Sequence, residues 1–242
     1  EYIIGDIMPL PNIVTPEFVT TLPSTKQKIK FRPFLVKEEK VLLMAQEGKD
    51  RDEITAAVIK ILQNCINEDL DITSLPLFDI EWLFLQLRGK SVGEVIELSF
   101  RHSEKEDCNH RNDVSINIDD IKVHFDEKHS SNIPLDNGIG ISMYYPSLAV
   151  ASKFNKDNFT VDDVFNMIKG SVKSVYDSEK VYNDFTEEEL TQFLDNLNQS
   201  HLQKFMDFFE TMPKLKHTLK FKCQKCGEEI EYNLEGLMDF FI

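Results

Sequence analysis

An α+β fold is what this sequence predicts, built from helical bundle elements and two β-hairpins. Three observations predict it. Apolar residues recur at helical spacing in several segments that begin with an N-cap signature, the period drops to two in the middle and again near the end, and a Cys-x-x-Cys pair lies between two of the short period-two runs. The chain has 242 residues, enough for a packed core without staples. Its 41% hydrophobic and 10% aromatic residues, 18 of them Phe, exclude an acidic disordered tail. With 27 Lys plus Arg against 42 Asp plus Glu the net charge is -15, which disfavours general nucleic-acid binding because that needs a positive surface to release counterions.

Residues 1–30 hold Pro9, Pro11, Pro16 and Pro23 among isolated apolar residues, and are expected to form an extended Pro-rich arm that serves partner contacts more than the core. Residues 31–242 are expected to form a single α+β domain. Val36 to Ala45 reads as a short helix. Asp50 with Glu53 opens a second, striped by Ile54, Ala57, Val58, Ile61, Leu62, Cys65 and Ile66, with Cys65 a buried core residue. Pro76 opens a third, running to about Arg88 with Gly89 as its C-cap, and its apolar residues lie almost all around it. Such a helix is either the central core helix or an interface helix.

From Val92 the alternation of Ile96, Leu98 and Phe100 with polar partners predicts a strand, and Val114, Ile116 and Ile118 predict another. Extended segments at 121–125 and 133–145 follow. Thr160 with Asp163, Thr186 with Glu189, and Ser200 with Gln203 then cap three helices, the first carrying apolar residues as far as Val172 and Val175. A strand at 217–221, another around 230–232 and an apolar tail from Leu234 to Ile242, read as a short helix, close the chain. The tail and the third helix together offer more apolar surface than a small monomer readily hides, which leaves two readings of each: a partner interface, or simply core.

Cys223-Gln224-Lys225-Cys226-Gly227 spaces two thiolates so that both reach one ion, with Gly accepting the tight backbone beyond them. Between two strands this is the pattern of a zinc ribbon, and two more ligands must come from elsewhere. The segment Leu98-Ser99-Phe100-Arg101-His102 sets beside Leu219-Lys220-Phe221-Lys222-Cys223, and Cys108-Asn109 then falls on Cys226-Gly227. The expected ligands are therefore His102, Cys108, Cys223 and Cys226, with His110 as the competing imidazole, in a zinc-ribbon-like module built from about 93–125 and 214–242. Against it stand the plainer readings that Cys108 and the histidines are polar loop residues, or that the Cys pair is empty or redox-active. A thioredoxin-like role would need the pair at a helix start after a strand. Four protein ligands leave no open position, so the metal, zinc, is expected to be structural.

No catalytic residues are expected. Gly89-Lys90-Ser91 ends like a phosphate loop, but Phe84 stands where its first Gly belongs and the order of helix and strand is inverted. Gly138-Ile139-Gly140-Ile141-Ser142 lacks the last Gly of a nucleophile elbow and the helix after it. His201 and His217 read as surface or strand residues. No apolar run approaches the roughly 20 residues of a membrane span. The sparse cysteines, two of them spaced for metal, predict synthesis in a reducing, intracellular compartment.

Leu22-Pro23-Ser24-Thr25, the run from Ile29 to Lys40, Asn64-Cys65-Ile66, Asp79 to Arg88, Tyr145-Pro146-Ser147, Leu234-Glu235-Gly236-Leu237 and Phe240-Phe241 together resemble the baseplate hub subunit and hub assembly proteins of T4-like bacteriophages. The resemblance extends over most of the chain from about residue 20, and a cysteine-bearing loop opposite a C-terminal Cys-x-x-Cys belongs to the family pattern. His102 departs from it, standing where a Cys is expected. The resemblance implies a non-enzymatic structural or assembly protein of a contractile-tail baseplate hub. Its partners would be other hub or tail proteins, in the host cytoplasm during assembly or in the virion baseplate. The alternative is an acidic zinc-ribbon adaptor in viral transcription or replication, to which Lys216, Lys220, Lys222 and Lys225 give a footing that Glu228, Glu229 and Glu231 weaken.

Overall fold

The computed structural model describes residues 14–48, 50–102, 108–151 and 160–241. Helices and small antiparallel sheets share the chain. In order they are β1 Phe18–Thr21, β2 Lys28–Phe31, α1 Val36–Gly48, α2 Arg51–Cys65, α3 Leu77–Ser91, β3 Val95–Arg101, β4 Arg111–Asn117, β5 Lys122–His124, β6 Asn132–Pro134 and β7 Gly140–Met143. There follow α4 Leu148–Ala151, α5 Val161–Ser171, β8 Val172–Tyr176, β9 Val181–Tyr182, α6 Glu187–Asp195, α7 Gln199–Thr211, β10 Lys214–Lys222, β11 Glu229–Glu235 and α8 Gly236–Phe241. The strands form four sheets: β1-β2, β3-β4, β11-β10-β5 and β6-β7-β8-β9.

Helix α3 explains its own sequence. Its Ile80, Leu83, Phe84 and Leu87 pack with β1, β2 and α2, while Leu85 and the half-buried Trp82 pack with β3, β4, β10, β11 and α8. Its first turn reaches a third cluster through Phe78, whose ring stands edge-on to Tyr145 at 5.1 Å. A helix at the junction of several layers needs apolar residues on nearly every side. The central reading holds, and α8 joins it in the core, since Phe240 is only 1% exposed. Of the two readings of the tail, Phe240 takes the core one, buried among the β-strands.

The N-terminal expectation changes. Residues 18–31 form a hairpin whose Leu22 and Ile29 are buried in the first core cluster. Two polar ties hold it on α3: Trp82 Nε1 donates to Thr20 Oγ1 at 3.1 Å, and Ser24 donates to the Asp79 carboxylate from both its backbone N–H and its hydroxyl. Residues 1–13 of the expected arm lie outside the described residues.

Local chemistry sets the helix ends. The Asp50 side chain caps α2, and capping boxes at Thr160/Asp163 and Thr186/Glu189 open α5 and α6. Three boundaries differ from expectation. α7 is capped by Asn198 with His201 at N3, two residues before Ser200. α3 runs through Gly89, where a Cβ would come within 3.2 Å of Ile118, and ends at Ser91 before Gly93 at φ +140°. α5 stops at Ser171, because Val172 and Val175 belong to β8 beside β7.

Candidate metal centre

Two hairpin tips meet at the outer end of the second core cluster. Strands β3 and β4 pair from Val95↔Asn117 to Arg101↔Arg111, and β10 and β11 from Lys216↔Glu235 to Lys222↔Glu229. The two hairpins lie against each other through Phe100, whose ring stacks on Tyr232 at 4.7 Å and leans on Phe221 at 5.9 Å. Phe100 and Phe221 are the residues that the sequence comparison of the two segments set side by side.

The described parts of the two tips are built alike. Cys223 N donates to Glu228 O at 2.8 Å, and His102 N donates to His110 O at 2.8 Å. Gly227 follows Cys226 at φ +75° and Asn109 follows Cys108 at φ +39°, the left-handed backbone that Gly and Asn tolerate best. So each tip presents one ligand-type residue at its strand end and one just before a left-handed residue.

The four expected residues come together. One ligand atom each from His102, Cys108, Cys223 and Cys226 lies within 4.8 Å of the others, in a group that could hold a metal ion. Cys108 Sγ and Cys223 Sγ are 3.6 Å apart, and Cys226 Sγ is 3.5 Å from His102 Nδ1. A tetrahedral zinc with bonds of about 2.3 Å to sulfur and about 2.0 Å to nitrogen would place such atoms roughly 3.5 to 3.8 Å apart, so these edges fit. A disulfide, at about 2.05 Å, does not. His102, Cys108 and Cys223 are buried while Cys226 is exposed. His110 contributes its carbonyl to His102 N, but its ring is outside the group.

The electrostatics favour thiolate at one corner. Burial pushes the Cys223 thiol up, but the backbone N–H groups of Cys226 and Lys225, with His102 and Cys108 beside it, outweigh burial and bring it down to about 5. Cys108 is raised, by burial first and then by Cys223 next to it. Cys65, far from this site, is pushed up to about 11 by burial, which fits its place in the first core cluster.

Sequence reasoning missed the groups that hold these four residues. Asn112 on β4 is 1% exposed. Its Oδ1 accepts from Gln224 N at 2.9 Å, and its Nδ2 donates to Cys223 Sγ at 3.7 Å and to His110 O at 3.3 Å. Lys225 Nζ donates to Cys108 O at 3.1 Å, and Glu228 Oε2 lies 3.8 Å from His102 Nε2. A signal for Asn112 was present. It occupies the inward register of Val114, Ile116 and Ile118, a polar residue where alternation calls for an apolar one.

His201 and His217 lie outside the group. His201 is buried rather than on the surface, with Nε2 3.0 Å from Asp136 and its backbone N–H in the α7 capping box. His217 lies on β10, as expected. No helix among the described residues is long and apolar enough to cross a membrane. Residues 15–242 match the family model described as T4 bacteriophage base plate protein. No curated protein and no solved structure matches the chain.

Proposed function

The chain belongs to the T4 bacteriophage base plate protein family, and from that premise we propose that it is a non-enzymatic structural or assembly protein of a contractile-tail baseplate hub, working through protein–protein contacts. The single observation that carries this is the family match, which spans every described element of the fold. Its partners are other hub or tail proteins, met in the host cytoplasm during assembly and in the tail baseplate of the virion.

Zinc is the metal proposed for the His102, Cys108, Cys223 and Cys226 group. Three thiolates and one imidazole suit zinc better than the oxygen-seeking divalent cations. Four protein ligands close the tetrahedron, so the ion would tie the two hairpins together and leave no position for a substrate. Zinc-ribbon-like describes the arrangement in function: two hairpin tips gripping one ion.

The adaptor reading draws less support. Two of its four lysines face acids across the hairpin, Lys220 against Glu231 at 2.8 Å and Lys222 against Glu229 at 3.4 Å, so much of this face presents paired charge instead of the positive surface that nucleic acid requires. A pull-down of the tagged chain from infected cells tests the proposal. Tail and hub proteins in the eluate are expected; polymerase or replisome subunits in their place would overturn it.

A further inference from the structure

The metal group is held from both sides by side chains that cross between the hairpins. Asn112 rises from β4 of one hairpin and meets the Cys223–Gln224 segment of the other. Lys225 crosses in the opposite direction to the Cys108 carbonyl. Among these ties, the one made by Asn112 is buried, reaches a sulfur directly, and uses both ends of one amide.

We propose that Asn112 is a positioning residue of the metal centre, which fixes the Cys223 sulfur as a hydrogen-bonded thiolate and couples metal affinity to docking of the two hairpins. The inference rests on the metal reading above. An amide at this position is chemically specific: its oxygen must accept from Gln224 N, which sets the turn, while its N–H donates to sulfur. Neither Asp nor Leu can do both. Aspartate keeps the acceptor and loses the donor, placing a second negative charge beside a thiolate. Leucine, of similar shape, keeps neither and leaves Gln224 N without this acceptor.

A hydrogen bond to a ligating thiolate withdraws electron density from sulfur and lowers the energy of its lone pairs. Loss of partners around a metal site typically costs about 10- to 100-fold in affinity. It also shifts the sulfur-to-metal charge-transfer absorption to longer wavelength, since the sulfur electrons are then easier to move.

The test uses the full chain with Co²⁺ as a spectroscopic probe, titrated into wild type, Asn112→Asp and Asn112→Leu under reducing conditions. For the wild type one cobalt per chain is expected, with thiolate charge-transfer absorption and tetrahedral d–d bands. Both variants are expected to bind one cobalt about 10- to 100-fold more weakly, with the charge-transfer band moved to lower energy. Leu supplies the readout if the buried charge of Asp prevents folding, and circular dichroism of the metal-saturated protein identifies that case. A purely structural role would change the melting temperature but leave the charge-transfer energy in place. Wild-type binding with an unshifted band and unchanged affinity in the folded variant overturns the role of Asn112 alone. A wild type that binds no cobalt overturns the metal reading and this inference with it.

Discussion

Cys223 and His102 occupy equivalent strand ends in two hairpins that the chain makes more than a hundred residues apart. At this scale the proposed site predicts an asymmetry between neighbouring imidazoles. Cys223→Ser removes a ligand and is expected to lower the melting temperature markedly in zinc-replete buffer, whereas His110→Ala removes a ring outside the group and is expected to leave it nearly unchanged. Thermal melts of both variants with and without a chelator check this, since the chelator should bring wild type down towards Cys223→Ser and have little effect on the variant. The grouping of the four residues was legible in the sequence because both tips repeat a strand end, a ligand-type residue and a left-handed residue. Asn112 was not, because a single polar residue in an inward register reads equally as a strand edge until the opposite hairpin is in place.

The β1–β2 hairpin and α3 carry a prediction about pH. Asp79 is fully buried, and its pKa is raised chiefly by burial, against the opposing hydrogen bonds from Ser24. A raised carboxyl pKa means the folded chain binds this proton more tightly than the unfolded one. Its contribution is therefore most favourable below the ordinary aspartate value of about 3.9 and is lost as pH rises through the folded value. Asp79→Asn is expected to flatten that part of the stability-against-pH curve, measured by urea unfolding across the acid range, and to be no less stable than wild type at neutral pH. Glu38 has the opposite sign. Burial raises it, but the Arg32 side chain 3.1 Å away and the Leu35 backbone outweigh burial and hold it below the usual carboxylate range. Its contribution is present above the ordinary glutamate pKa and is lost as pH falls through the folded one. Glu38→Gln should cost about 1–3 kcal/mol at pH 7, seen as a lower urea midpoint.

Element type was readable wherever a periodic stripe coincided with a cap, as at Asp50, Thr160 and Thr186. Boundaries failed where two local signals competed. Ser200 with Gln203 and Asn198 with His201 both offer an N-cap and a three-residue partner, and the buried His201 ring, held by Asp136 and closing the capping box with Asn198, favours the second. Val172 and Val175 continue the helical spacing of α5 while also suiting a strand, and pairing with β7 decides for the strand.

At the scale of the whole molecule, the early and late parts of the chain share one core. α8 brings Phe240 into the cluster formed by α3, β3, β4 and β10, with 1% of its surface exposed. Phe240→Ala is expected to cost about 3–5 kcal/mol, read from chemical unfolding. Truncating 239–242 should do at least as much harm to the fold, so loss of tail assembly in that truncation would first report instability. The proposed metal closes the same circuit, since Cys108 and Cys223 are 115 residues apart and holding a loop of that length shut in the unfolded chain costs about 4 kcal/mol of entropy. Native mass spectrometry of the purified full chain tests this most directly. One zinc ion per chain is predicted, lost in a Cys108→Ser/Cys223→Ser double variant; a wild-type chain without zinc, or zinc retained in full by that variant, would contradict it.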